Sequence, residues 1–154
     1  CSLKGKGKFY IHDIDEKKLK EANLRAERAG VKFTRLEAKN LQKYCCSFDY
    51  IIADVPCSGS GAWRRNPQQK WRITPESLNE ILTRQTVILD EVKDLLKKNG
   101  YIYYITCSLL KIENEEVIEK FLIDNKYFRL VNKKNVPIDK YGDGFFCAVL
   151  QKKN

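Results

Sequence analysis

The stretch FDYIIADVPCSGSG at residues 48–61 decides the fold. Its first part, residues 48–53, is mostly apolar and contains aromatic and β-branched side chains, which predicts a buried strand. The remainder, residues 54–61, contains Pro56, Gly59 and Gly61 and predicts a loop directly after that strand. In open α/β sheets, ligands bind beyond the carboxyl ends of the strands. We therefore expect Asp54 and Cys57 to lie at the edge of a ligand pocket.

Strand-like and helix-like segments alternate on both sides of this stretch. Apolar runs predict strands at residues 8–12, 31–36 and 101–105, followed by two closing strands at residues 127–131 and 145–150. Helical spacing of apolar residues predicts helices at residues 17–29, 74–98 and 114–122, with Gly30 and Asn99-Gly100 as stop signals. The alternation predicts a single α/β domain over residues 1–154, with a parallel sheet that ends in an antiparallel strand pair.

Three further polar groups follow predicted strands. Asp13 comes after the strand at residues 8–12, Glu37 after the strand at residues 31–36, and Thr106-Cys107-Ser108 after the strand at residues 101–105. Together with Asp54 and Cys57, these strand ends predict one pocket lined by acids and thiols.

Composition and charge leave the class of protein more open than the motifs do. The net charge of +9, from 29 basic and 20 acidic residues, fits a polyanionic partner and fits a lysine-rich solvated surface equally well. No apolar run approaches the roughly 18 residues of a membrane span, and we expect a cytoplasmic protein.

The six cysteines lack the C-x-x-C spacing of zinc sites and redox motifs, so we expect thiols and no metal. An isolated cysteine is most often a small core residue, and this is the interpretation for Cys1, Cys45, Cys46 and Cys147. His12, inside a predicted strand, is interpreted as structural.

Several motifs, taken together, resemble one family. The order D-V-P-C-S-G at 54–59, R-R-N-P at 64–67, K-W at 70–71, T-C-S at 106–108 and G-D-G-F-F at 142–146 is similar to that of the Sun/Fmu family of RNA cytosine-5 methyltransferases. The similarity covers nearly the whole chain. It implies a Rossmann-like class I methyltransferase sheet, S-adenosylmethionine as cofactor, and ribosomal or transfer RNA as substrate.

The resemblance also implies roles for the residues of the two cysteine loops. Cytosine carbon 5 becomes nucleophilic once a thiolate has added to carbon 6. By resemblance, Cys107 is that nucleophile and Cys57 is the second cysteine, which helps to resolve the covalent intermediate. Asp54 then hydrogen-bonds the cytosine edge, Pro56 stiffens the loop, and Gly59 and Gly61 permit close backbone approach.

Cofactor contacts are implied for four residues. The resemblance assigns them to Asp13, Glu37, Asp54 and Pro56. Asp13 suits ribose hydroxyls, although an aspartate before a helix can also be an N-cap, a role for which Asp15 competes. Glu37 begins E-A-K-N-L, where the family has D-A-R-N-L.

RNA contacts are expected from a loop that interleaves cations with aromatic rings. The residues concerned are Arg64, Arg65, Lys70, Trp71 and Arg72. The alternative for this loop is a solvated segment whose Trp71 is anchored in the core.

The family's glycine-rich cofactor loop, of the kind A-P-G-G-K-T, is expected to precede Cys1, together with the first central strand of the sheet. Without that strand, the strands at residues 8–12 and 48–53 would face a gap. Either an upstream segment or a second chain completes the sheet, or the two strands pair directly. Two other functions stay open: a catalytically inactive RNA-binding remnant, and a DNA cytosine-5 methyltransferase with Cys57 as nucleophile.

Overall fold

The computed structural model describes residues 7–154, and these residues divide into two compact units. One unit ends at Tyr44 and the other is Cys45–Asn154. Each unit is described by itself below, and the single domain over residues 1–154 stays a prediction.

The first unit is a small parallel βαβ arrangement. Strand β1 (Phe9–Ile11) is followed by helix α1 (Glu16–Arg28) and strand β2 (Phe33–Arg35), and β1 pairs in parallel with β2. The carboxylate of Asp15 caps α1 by accepting a hydrogen bond from the Lys17 amide at 2.8 Å. The N-cap interpretation of Asp13 is therefore wrong, because Asp15 occupies that position. Past the end of the helix, Gly30 has a left-handed φ of 67°.

The second unit contains the remaining strands in one sheet. Its elements are β3 (Phe48–Asp54), α2 (Pro75–Lys93), β4 (Leu96–Thr106), α3 (Glu115–Asp124), β5 (Phe128–Val136) and β6 (Phe145–Lys152). The strand order is β3-β4-β6-β5; β3 and β4 are parallel, whereas β6 is antiparallel to both β4 and β5. The predicted α/β class and the antiparallel C-terminal pair are confirmed.

The core of the second unit lies between this sheet and helices α2 and α3. On β4, Ile102 and Tyr104 are fully buried at alternate positions, as the period of a strand dictates. Leu89 of α2 and Ile118 and Phe121 of α3 pack in the same cluster. Burial of each such side chain contributes roughly 1.5–3 kcal/mol, so this cluster stabilises the sheet from which the loops at its edge extend.

The predicted helix at residues 74–98 is too long. Helix α2 ends at Lys93, and β4 already begins at Leu96. Leu95 and Leu96 continue the apolar periodicity because they are core residues, but the Leu95 carbonyl accepts hydrogen bonds from the amides of Ser47 and Phe48. Pairing with the chain that enters β3 thus replaces the last helical turn. Asn99 has a left-handed φ of 62° and lies within β4 instead of ending a helix.

The strands that were expected to flank a gap do not pair with each other. Within residues 7–154, β1 belongs to a two-stranded sheet with β2, and β3 is an edge strand whose ladder partner is β4. Direct pairing of the two strands is therefore wrong, and the incomplete sheet is confirmed. Tyr50 and Ile52 of β3 are 64% and 72% exposed, which is unusual for a strand of this apolar sequence.

Among the described residues, no helix has both the length and the apolar character that crossing a membrane requires.

Truncating the core tests this packing. Leu89→Ala should lower the free energy of unfolding by about 2–5 kcal/mol, because it removes fully buried methyl groups from the α2 side of the cluster. The measurement is urea denaturation followed by circular dichroism. Val87→Ala on the same helix is the control, since Val87 is half exposed, and it should change stability by less than about 1 kcal/mol. Equal losses in the two variants would contradict the described core.

Candidate active site

The two cysteines of the motif loops lie side by side. The Sγ atoms of Cys57 and Cys107 are 3.3 Å apart, and both thiols are half-buried. Parallel pairing of β3 with β4 causes this, because Asp54 stands opposite Ile105 and the two strands end together. The Val55 amide extends the ladder by donating to the Ile105 carbonyl at 3.1 Å. The strand ends of the second unit therefore bring the two thiols together.

The closing G-D-G-F-F element packs against the same loops. Gly61 donates its amide to the Cys107 carbonyl at 2.9 Å and accepts at 3.0 Å from the Gly144 amide. A Cβ at Gly61 would collide with the Gly144 carbonyl, so this position requires glycine. Gly59 has a left-handed φ of 69°, which also favours glycine. The predicted close backbone approach is confirmed at Gly61, whereas Gly59 has only the Gln69 side chain nearby and its close approach stays a prediction.

The environment makes the two thiols unequal. The pKa of Cys107 is lowered to about 7, chiefly by its hydrogen bond with Cys57, while partial burial opposes the shift. The pKa of Cys57 is raised far above its ordinary value, first by that same hydrogen bond and then by burial. These opposite directions favour Cys57 as the donor and Cys107 as the acceptor of the hydrogen bond between the two sulfurs. A lowered pKa is what a cysteine nucleophile requires.

Acidic side chains surround the pair. Asp54 is exposed at the end of β3, and its charge acts on Cys107 in the direction that raises the pKa of that thiol. Glu113 acts in the same direction. The lowering by Cys57 therefore outweighs two nearby carboxylates and the cost of burial.

A buried polar network lies beneath the two thiols. Glu113, in the short turn Lys111–Glu113 before α3, is fully buried and accepts hydrogen bonds from Ser58 and Ser108. Gln85 of α2 donates its side-chain amide to Glu113 at 3.3 Å and to the Pro56 carbonyl at 2.9 Å. Ser58 and Ser108 each directly follow one of the two cysteines.

Sequence reasoning missed the role of this network. Gln85 offered a signal, because it is a polar residue on the apolar face of α2. Glu113 offered none, since an acidic residue just before a helix is normally solvated and favoured there by the helix dipole.

The residues expected to bind RNA fall into two groups. Arg64 donates to the backbone carbonyl of Asp139, and Arg65 forms an ion pair with Asp143, so both hold the closing loop. Trp71 is 83% exposed, with the Lys70 ammonium 5.9 Å from its ring centroid, and Arg72 is also exposed. The alternative in which Trp71 is anchored in the core is wrong, because the turn Pro67–Arg72 directs no residue inward.

The two acids expected near the cofactor lie in the first unit. Asp13 and Glu37 each follow one of the parallel strands β1 and β2, at the same end of that sheet. Asp13 accepts from the Asp15 amide at 2.8 Å through Oδ1. Glu37 pairs with Lys39 at 3.0 Å, and this contact lowers the pKa of Glu37. His12, which hydrogen-bonds the Leu36 carbonyl, has a structural contact in this unit.

The other cysteines differ from expectation. Cys45 and Cys46 are exposed, so their interpretation as small core residues is wrong; they lie in a tight turn where Cys46 has a φ of 52°. Cys147 is half-buried on β6, and the five described cysteines are free thiols. Cys1 lies outside the described residues.

Alkylation should reveal the unequal thiols. The rate of Cys107 modification by iodoacetamide should rise with pH around a midpoint of about 7, because its thiolate accepts from Cys57. In Cys57→Ala the midpoint should move up toward the ordinary thiol value of about 8.5. Peptide mass spectrometry at each pH gives the profile. Cys57→Ser is the matched control, since its hydroxyl can still donate and should restore part of the shift. An unchanged midpoint in Cys57→Ala would refute the assignment.

Comparisons of the sequence with known proteins identify one family. Residues 2–151 match the family model described as "16S rRNA methyltransferase RsmB/F". The chain is 35% identical to "Ribosomal RNA small subunit methyltransferase B" of Serratia proteamaculans (strain 568) over 152 residues, covering 91% of this chain and 35% of the relative. Its counterpart from Escherichia coli O1:K1 / APEC is also 35% identical, over 92% of this chain and 36% of the relative. The chain thus spans about a third of the length of these curated relatives.

Solved structures show the same fold. The structure titled "Crystal Structure of PH0851" superposes with a TM-score of 0.89 at 30% identity, covering 97% of this chain and 38% of that one. NSun6 from Pyrococcus horikoshii with SFG superposes with a TM-score of 0.78 at 22% identity, covering 99% and 43%. The latter similarity supports the fold alone. With the family match over residues 2–151, these findings show that the chain belongs to the RsmB/F family of 16S rRNA methyltransferases, as its motifs indicated.

Proposed function

We propose that this chain is the catalytic part of an enzyme that methylates carbon 5 of a cytosine in RNA, with S-adenosylmethionine as methyl donor. The observation that carries the proposal is the pair Cys57 and Cys107, with Sγ atoms 3.3 Å apart and the pKa of Cys107 lowered to about 7. The names of the relatives support ribosomal RNA of the small subunit as the substrate.

Cys107 acts as the nucleophile. Near neutral pH about half of its thiol is ionised, given a pKa of about 7. Its thiolate forms a bond to carbon 6 of the cytosine, and the ring electrons shift so that carbon 5 becomes nucleophilic. The position of Cys107 in the T-C-S loop of the family motif supports this assignment over the DNA-type arrangement, in which Cys57 would attack, and the lowered pKa of Cys107 agrees with it.

Asp54 and Cys57 serve the other steps. The exposed Asp54 carboxylate, at the end of β3, accepts a hydrogen bond from the cytosine edge and stabilises a protonated ring nitrogen. Cys57 keeps its proton at neutral pH and lies beside the Cys107 sulfur, where it assists release of the covalent adduct. Pro56 holds this loop, since its carbonyl is bound by Gln85.

The acids of the first unit suit a nucleoside cofactor. Asp13 and Glu37 provide carboxylate acceptors at one end of parallel strands, and carboxylates bind ribose hydroxyls and amino groups of bases. We assign Asp13 to the ribose and Glu37 to the adenine, and the cofactor contacts of Asp54 and Pro56 stay a prediction of the sequence. When bound, S-adenosylmethionine supplies an electrophilic methyl group.

The exposed turn after the first cysteine loop suits RNA. Trp71 offers a free ring face for stacking, and Lys70 and Arg72 provide phosphate contacts. Arg64 and Arg65 connect this turn to the closing loop through the carbonyl of Asp139 and the carboxylate of Asp143. RNA contact by this turn would therefore reach the closing loop, whose Gly144 amide donates to Gly61 of the first cysteine loop.

Trapping on RNA that contains 5-fluorocytosine tests the nucleophile. Fluorine at carbon 5 cannot leave as a proton does, so a covalent adduct should accumulate after methyl transfer. Cys107→Ala should abolish the adduct, whereas Cys57→Ala should retain it, because only Cys107 bonds to carbon 6. The measurement is a denaturing gel of labelled RNA, with any coding sequence upstream of residue 1 included in the protein. The reverse pattern would overturn the proposal in favour of Cys57 as nucleophile.

Titration calorimetry tests the cofactor assignment on the same protein. Asp13→Asn should weaken S-adenosylmethionine binding by about tenfold or more, because a charge-assisted hydrogen bond to the ribose is lost. Asp15→Asn is the matched control and should bind normally, since asparagine caps a helix as well as aspartate does. Absence of heat from the unmutated protein would instead support a catalytically inactive RNA-binding protein.

A further inference from the structure

We infer that Glu113 is a positioning residue that sets the distance between the Cys57 and Cys107 sulfurs by clamping both cysteine loops to one buried carboxylate. The inference rests on the proposed function for its catalytic meaning, but its geometry stands by itself.

Each oxygen of Glu113 accepts from more than one donor. Oε1 accepts from the Ser58 amide at 2.7 Å and from the Gln85 side-chain amide at 3.3 Å. Oε2 accepts from the Ser58 hydroxyl at 2.6 Å and from the Ser108 hydroxyl. Ser58 is the residue after Cys57 and Ser108 is the residue after Cys107, so the carboxylate contacts both loops one residue from their thiols.

Further contacts fix the same two loops to each other. The Ser60 hydroxyl lies 3.0 Å from the Ser108 hydroxyl and accepts from the Leu109 amide at 2.8 Å. The backbone of Glu113 is itself held, because its carbonyl accepts from the Tyr104 hydroxyl at 2.7 Å. Tyr104 is a fully buried residue of β4, so the clamp is anchored in the core.

Gln85 shows that donors in this network are directed at the carboxylate. Its Nε2 donates both to Glu113 and to the Pro56 carbonyl. Its Oε1 is buried and has no hydrogen-bond partner within residues 7–154. Reversing the amide would place that oxygen against two acceptors. The side chain therefore leaves one buried acceptor unsatisfied in order to donate to Glu113 and the first cysteine loop.

The complete burial of Glu113 supports the inference that it positions its hydrogen-bond partners. A carboxylate taken out of water is tolerated only when hydrogen bonds replace its hydration, and its partners are then held in fixed positions. Here the partners are the serines that follow the two catalytic thiols. Glu113 itself contacts no reacting atom and acts through Ser58 and Ser108.

Thiol–disulfide equilibrium measures the distance between the loops without requiring methyl transfer. Oxidised glutathione reacts with the two thiols to give the Cys57–Cys107 disulfide and two molecules of reduced glutathione, so the equilibrium constant reports the effective concentration of one thiol at the other. Quantification of the Cys57–Cys107 peptide by mass spectrometry separates it from reactions of the exposed Cys45 and Cys46.

Glu113→Gln should lower this effective concentration by about tenfold or more, the change expected when a hydrogen bond to a charged group is lost. Glu116→Gln is the matched control, because Glu116 is an exposed residue of α3 outside the network, and it should equal the unmutated protein. Circular dichroism establishes that each variant is folded. If Glu113→Gln does not fold, Ser108→Ala takes its place, since it removes the hydroxyl through which the second cysteine loop contacts the carboxylate, while the donors from Ser58 and Gln85 stay.

The inference would be overturned by a folded Glu113→Gln variant that has a lower melting temperature but the same effective thiol concentration as the unmutated protein. Glu113 would then only stabilise the fold. If it is replaced by Ser108→Ala, an unchanged value in that variant has the same consequence. Failure of the proposed function is recognised separately, since the unmutated protein would then form no adduct with 5-fluorocytosine RNA while the thiol equilibrium still depended on Glu113.

Discussion

Parallel pairing between β3 and β4 is the constraint on which the candidate active site depends. The register that places Asp54 opposite Ile105 makes both strands end at the same edge, and the chain then turns into one cysteine loop on each strand. Sulfur atoms 50 residues apart in sequence are therefore 3.3 Å apart in space. A slip of one residue would direct the side chains of the slipped strand to the other face of the sheet and displace the loop that follows it, so the distance between the two sulfurs depends on the register.

The charge balance around the two sulfurs follows from the same arrangement. Two acidic residues, Asp54 and Glu113, act to raise the pKa of Cys107, and partial burial acts in the same direction. Donation from the neighbouring thiol of Cys57 opposes all three and lowers the pKa. A thiol with a pKa near neutral pH is thus obtained through the hydrogen bond to a neighbouring thiol.

The three motif segments form one rigid assembly within the second unit. Gly61 joins the first cysteine loop to both the second loop and the closing glycine loop through main-chain hydrogen bonds, and Arg65 adds an ion pair with Asp143. Such contacts fix the backbone around the two cysteines, while the exposed turn with Trp71 stays accessible.

The sequence by itself determined the alternation of strands and helices, the parallel and antiparallel halves of the large sheet, and the two loops that carry Cys57 and Cys107, because periodicity, turn residues and motif order are local properties. Tertiary structure decided where α2 ends, since Leu95 has a helix-like position in the sequence but its carbonyl is bound by the chain entering β3. It also decided that the pKa values of the two thiols are shifted in opposite directions and that Glu113 is buried. Both depend on contacts between segments 50 or more residues apart, and no local pattern encodes the free energy of such contacts.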